Sequence, residues 1–227
     1  MRTFSDTELL DRAAAYHILS MASEMLDHQS RFSLVLAGGR TPLGAYREMV
    51  RAVDHWEDVW DRMDFYWGDE RYVPHDHRDS NYRAAHRALL RYLPISPDQV
   101  HPVPTEPADP DEAARSYEDL FPDRPDLLLA GIGDDGHTLS LFPGSPALEE
   151  RRRRVMAVQT PAEPPTRITL TPPTVKSARQ ALVLVKGGKK ADAVRRARAP
   201  EGTVSETPAR LLREAEWFAD RSAAGQL

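Results

Sequence analysis

The chain has 227 residues, 41% of them hydrophobic, enough to bury a sizeable core, and we read it as one α/β domain over 1–227. Its 30 Lys and Arg against 35 Asp and Glu leave a net charge of -5, with no overall positive field to attract a phosphate backbone, so nucleic acid is not expected as a partner. With no cysteine, a disulfide framework, a thiolate metal site and a thiol nucleophile are all excluded.

Apolar residues at helical spacing over 6–28 (Leu9, Leu10, Ala13, Ala14, Ile18, Met21, Ala22, Met25) predict an amphipathic helix capped by Ser5 or Asp6. The stretch from Met1 to Arg12 is polar where a secretory segment would be apolar, and no apolar run approaches the ~18 residues of a membrane span. A cytoplasmic chain without membrane contact is therefore expected. Residues 32–37 read as a strand, Gly38-Gly39 as a turn, and 42–53 as a helix with Thr41 as cap and Pro42 in its first position. A strand at 63–67 precedes helices over 80–90, opened by Ser80, and over 111–120; 126–130 is the next strand. Further on come a strand at 167–170, a short helix over 174–178, a strongly apolar strand at 181–185 and a helix over 189–197. A helix near 208–213 and a strand-to-helix unit around 217–224 follow. The proline-rich stretches 102–110 and 161–165 read as surface loops.

Strands alternating with helices of about 10 residues imply a mostly parallel, Rossmann-like sheet covered on both faces. Ligands of such sheets collect where strands end in turns, and three turns here carry charge. In Gly38-Gly39-Arg40-Thr41-Pro42, bare N–H groups, a helix start and the Arg40 cation suit a dianion such as phosphate. Gly68-Asp69-Glu70-Arg71 follows the strand at 63–67; Arg71 could fork onto a phosphate or carboxylate, and Asp69 or Glu70 could hold sugar hydroxyls or orient that arginine.

The third turn, Gly131-Ile132-Gly133-Asp134-Asp135-Gly136-His137-Thr138, has the glycine spacing of a dinucleotide fingerprint. Asp134 and Asp135 would face the pyrophosphate, however, and Pro143-Gly144 would stop the following helix after about two turns. A catalytic turn fits better, with Asp135 fixing the His137 ring while its other nitrogen takes a proton from water or a substrate hydroxyl.

Arg167, Thr169 and Thr171 share one face of their strand, which calls for water or a ligand. Lys189 and Lys190 open a helix, an unfavourable place for cations unless an anion is also there. His75 and His77 have no third ligand at metal spacing, and Arg151 to Arg154 reads as a solvated face, so no metal site is expected.

Together these strings resemble the 6-phosphogluconolactonases, part of a wider group that includes glucosamine-6-phosphate deaminases. The match rests on 38–42, on 68–71 with Val73-Pro74 and Ser80-Asn81, on 131–144 through Ser140-Leu141-Phe142-Pro143, and on 167–171, with support from 187–190 and 217–220. The resemblance implies a three-layer α/β/α sandwich. It also implies cofactor-free hydrolysis of a small sugar-phosphate lactone, 6-phospho-D-glucono-1,5-lactone, in the second step of the oxidative pentose phosphate pathway. His137 and Asp135 are then the expected catalytic pair, and Gly38, Gly39, Arg40, Thr41, Asp69, Arg71, Arg167 and Lys190 the expected substrate contacts. Ala37 and Arg40 stand where the family often has Ser. Phe142 stands where the deaminases carry a Glu, and Arg71 where they tend to have Tyr, which favours the lactonase over an amino-sugar isomerase or deaminase. A sugar-phosphate sensor would need an effector module, and no helix-turn-helix is evident.

Overall fold

The structure, a computed structural model, describes residues 1–225. Its main sheet is wholly parallel, in the order β1-β9-β8-β5-β2-β3, made of Arg2–Phe4 (β1), Phe32–Leu36 (β2), Met63–Trp67 (β3), Leu127–Ala130 (β5), Gln180–Val185 (β8) and Glu216–Asp220 (β9). Strands this apolar can be solvated on neither face, and Leu34, Leu36, Leu127, Leu129, Leu182 and Leu184 are all buried. The flanking helices are α1 (Thr7–Leu26), α2 (Leu43–Arg51), α3 (Glu57–Trp60), α4 (Asn81–Ala88), α5 (Pro110–Leu120), α6 (Pro172–Ser177), α7 (Ala191–Arg198) and α8 (Arg221–Ala224). This is the expected α/β architecture of a mostly parallel sheet flanked by helices.

The chain leaves β2 for β3 on one side of the sheet, then returns through β5 to build β8 and β9 on the other. Reversal of strand order between the neighbours β2 and β5 makes a topological switch point, where the two following loops diverge and open a crevice.

A second sheet, unexpected from the sequence, is antiparallel in the order β4-β7-β6, formed by Asp69–Arg71, Thr166–Leu170 and Val155–Gln159. Thus Asp69-Glu70-Arg71 is a strand where a loop is predicted, and the strand at 167–170 lies outside the main sheet. Three residues are too few to show a period, and the register of Arg71 with Arg167 and Asp69 with Thr169 joins segments about a hundred positions apart.

Helix starts follow side-chain chemistry. The Asp6 carboxylate accepts from the Leu9 amide at 2.9 Å and Ser80 Oγ from the Arg83 amide at 3.1 Å, both as predicted. Thr41 is not a cap: Pro42 takes that position without a side-chain hydrogen bond and α2 begins at Leu43. The helix predicted over 174–178 begins earlier, at Pro172, while residues 208–212 and 188–190 form tighter 3-10 turns. Arg154 is no part of a solvated face; it donates to the Phe121 and Glu118 carbonyls and to Asp123.

Candidate active site

The loops after β2, β3, β5 and β8 meet around a cavity of about 420 Å³ at the switch point. Gly38, Gly39, Arg40, Thr41, Asp69, Arg71, His137, Arg167 and Lys190 all line it, so nine of the predicted site residues converge from positions far apart in the chain. Asp135, the tenth, stands behind His137 and touches it.

The turn after β5 is folded on itself by backbone hydrogen bonds from Gly133 to His137 O at 2.8 Å and from Gly136 to Gly133 O at 3.0 Å. Thr138 Oγ1 donates to Gly131 O at 2.9 Å. Gly136, at φ 95°, adopts a backbone conformation that residues with a Cβ avoid. From across the fold, the Arg196 guanidinium of α7 donates to Asp135 O at 3.2 Å and Asp134 O at 3.3 Å.

Within this frame His137 Nδ1 lies 2.6 Å from Asp135 Oδ1, which also accepts the His137 amide at 3.0 Å. An ionised carboxylate only accepts, so the Nδ1 proton points at Asp135, and Nε2 is the nitrogen that carries the lone pair whenever the ring is neutral. Burial works to raise the Asp135 carboxyl, but the His137 amide, the imidazole charge and the ring hydrogen bond outweigh it and hold the group below its ordinary value. The Phe142 ring stacks on the imidazole with centroids 4.2 Å apart and planes 22° from parallel, and the Arg167 guanidinium lies 5.8 Å from the centre of the Phe142 ring.

The acidic and basic residues of the turn after β3 divide their tasks. Glu70, 1% exposed, accepts from the amides of Arg71, Asn81 and Tyr82 and from Ser80 Oγ; it anchors the start of α4 instead of holding sugar hydroxyls. Asp69 faces the cavity and accepts from Ser140 Oγ at 2.5 Å. Arg71 is steadied by the Asp79 carbonyl at 2.6 Å, and Arg167 by the carbonyls of Pro164 and Glu163. Lys190 pairs with Asp134 at 2.6 Å. The shared polar face of Arg167, Thr169 and Thr171 does not serve a ligand throughout: Thr169 accepts from the Ser140 amide, and Thr171 donates to Arg153 O, so only Arg167 reaches the cavity.

Gly38 and Gly39 are required for different reasons. A Cβ on Gly38 would run into the Asn81 carboxamide, whereas Gly39 sits at φ 77° with open space around it. Lys186 and Asn81 also line the cavity and were not predicted. Lys186 directly follows the predicted strand at 181–185, which is the signal that could have found it. Asn81 reads as part of a helix start, and nothing local marks it as a lining residue.

Fold and site together define an α/β protein with a cation-lined cleft at its switch point and an Asp-held His at the edge of that cleft. Residues 5–219 match the family described as "Glucosamine-6-phosphate isomerases/6-phosphogluconolactonase". The chain is 36% identical over 240 residues to a 6-phosphogluconolactonase of Mycobacterium tuberculosis, covering 99% of this chain and 96% of the relative. It is 35% identical over 234 residues to that of Synechocystis, covering 97% and 95%. The solved 6-phosphogluconolactonase of Trypanosoma brucei superposes with a TM-score of 0.84 at 29% identity, covering 98% of this chain and 96% of that one. The chain belongs to the glucosamine-6-phosphate isomerase/6-phosphogluconolactonase family.

Proposed function

We propose that the chain hydrolyses 6-phospho-D-glucono-1,5-lactone to 6-phospho-D-gluconate, with His137 as general base. The observation that carries this reading is the pairing of His137 with Asp135, Nε2 left free, in the same cavity as Arg71, Arg167 and Lys190. The near-complete match to relatives bearing that name supports it. A lactone is an activated ester, so water can attack its carbonyl carbon directly and no side-chain nucleophile is needed.

Nε2 removes a proton as the water oxygen bonds to the carbonyl carbon, and the carbonyl electrons move onto oxygen. Collapse of that intermediate breaks the bond to the ring oxygen, which takes the proton back from Nε2. The acid formed then ionises and releases a proton to solvent. Asp135 keeps the ring in one tautomer and favours the imidazolium that forms between the two transfers. Grip on the distant phosphate by Arg71, Arg167, Lys190 and the Gly39 and Arg40 amides orients the reacting carbon.

Proton release on adding the lactone at slightly acidic pH, where spontaneous opening is slower, tests the proposal. A rate above background that depends on enzyme concentration is the expected result. No acceleration, or ammonia release from glucosamine 6-phosphate, would sink the lactonase reading.

A further inference from the structure

Lys186 is a cavity cation that lies outside the charged turns and strands marking the others. It projects from the carboxyl end of β8, its side chain is only 17% exposed, and its ammonium pairs with Asp11 of α1. The Asp11 carboxylate lies directly against Gly44, where a Cβ would collide with it. The carboxylate therefore occupies the start of α2, directly after the Gly38 to Thr41 loop. This revises the expectation that the α2 N-terminus is open to an anion; a negative group of the protein already sits there, and the ammonium beside it faces the cleft.

We propose that Lys186 is a further substrate-binding residue, its ammonium held beside the start of α2 by Asp11 and taking the phosphate together with the Gly38 to Thr41 loop. An ammonium has three donors, and the pair with Asp11 uses one. Arg167 is more heavily committed, with its Nε, Nη1 and Nη2 directed at Pro164 O, Ser140 Oγ and Glu163 O, while Lys190, like Lys186, is paired with a single carboxylate, that of Asp134. A largely buried ammonium with donors to spare is a stronger site for a dianion than the exposed Arg40. Asp11 is then a positioning residue that steers the flexible lysine stem.

The identity of the ligand rests on the lactonase reading, so the test uses inorganic phosphate and 6-phosphogluconate, which require no turnover. Their binding is measured by calorimetry on the full chain, in the wild type, in Lys186→Met combined with Asp11→Asn, and in Lys186→Gln. The double substitution leaves no buried charge unpaired, and Lys186→Gln keeps a donor to Asp11 if the double variant does not fold. Kd for both anions is expected to rise about tenfold or more in either variant. With the lactone, KM should rise more than kcat falls, and Asp11→Asn alone should likewise raise KM more than it lowers kcat. Unaltered Kd for both anions in the folded variants would overturn the proposal. A wild type that binds both anions through Lys186 yet does not open the lactone would leave it standing and refute the lactonase reading instead.

Discussion

Gly133 lies flat against the imidazole of His137: a Cβ at position 133 would collide with Nδ1 of the ring and press on Asp135 Oδ1. The ring has little room to retreat, because Phe142 stacks on it. Gly133→Ala must therefore displace the imidazole from Asp135. Activity is expected to fall toward that of a variant without the imidazole, by about 10²-fold or more, with an unchanged far-ultraviolet spectrum. Wild-type turnover in Gly133→Ala would show that the ring position is not critical.

His137→Ala removes the proposed base while leaving the cations in place. The rate above background is expected to drop by about 10²- to 10⁴-fold, with 6-phosphogluconate still bound. Asp135→Asn should cost less than this, since it weakens the orientation of the ring without deleting it. Steady-state proton release on the two variants checks the order.

Arg71→Ala is expected to act mainly through KM, raising it about tenfold or more while kcat changes less, because its proposed contact is with the phosphate, a part of the substrate that does not react. The Asp79 carbonyl that it now binds at 2.6 Å also loses its partner. Inhibition by inorganic phosphate should weaken in parallel.

Glu70→Ala strips the start of α4 of its anchor, leaving the amides of Arg71, Asn81 and Tyr82 without their acceptor in a buried place. A loss of about 3 kcal/mol or more is expected, since each unpaired buried amide costs about 1 kcal/mol or more. Thermal unfolding measures it. Activity should fall too, because Arg71 and Asn81 flank the cavity.

His17 of α1 links pH to stability. Burial beside Phe218 pushes its pKa below the ordinary 6.5, against the pull of Glu216, so the unfolded chain binds a proton more readily than the folded one. Stability from this group is complete above pH 6.5 and is lost as pH falls below that value toward the depressed pKa. His17→Leu should flatten that part of the stability profile, measured by urea unfolding at several pH values. A slope identical to wild type would exclude His17 as its source.

Elements with a clear period were legible in the amino-acid string. The Asp6-capped helix, the apolar strands that became β2, β3, β5 and β8, and the cap at Ser80 needed only local patterns, because backbone conformation and one-sided burial act within a few residues. Errors cluster where local signals are short or shared. Pro42, not Thr41, is the cap of α2, and the Asp11 carboxylate of α1 packs against Gly44 in its first turn, a contact that no local pattern reveals. β1, β4 and β6 are set by their partners, because edge pairing satisfies backbone groups that would otherwise be orphaned.

The sequence by itself determined the glycine-rich turn that carries Asp135 and His137, the glycine loop after β2, the cations downstream and the family to which they belong. Each is a contiguous string whose glycine freedom, charge and hydrogen-bonding capacity are local properties. Only the tertiary structure decided that these strings face one another, by placing β2 next to β5 and so setting the switch point between their loops. It alone separated the work of Glu70 from that of Asp69 and brought Lys186 into the cleft, because strand order and the pairing of buried charges depend on contacts between residues far apart in the chain.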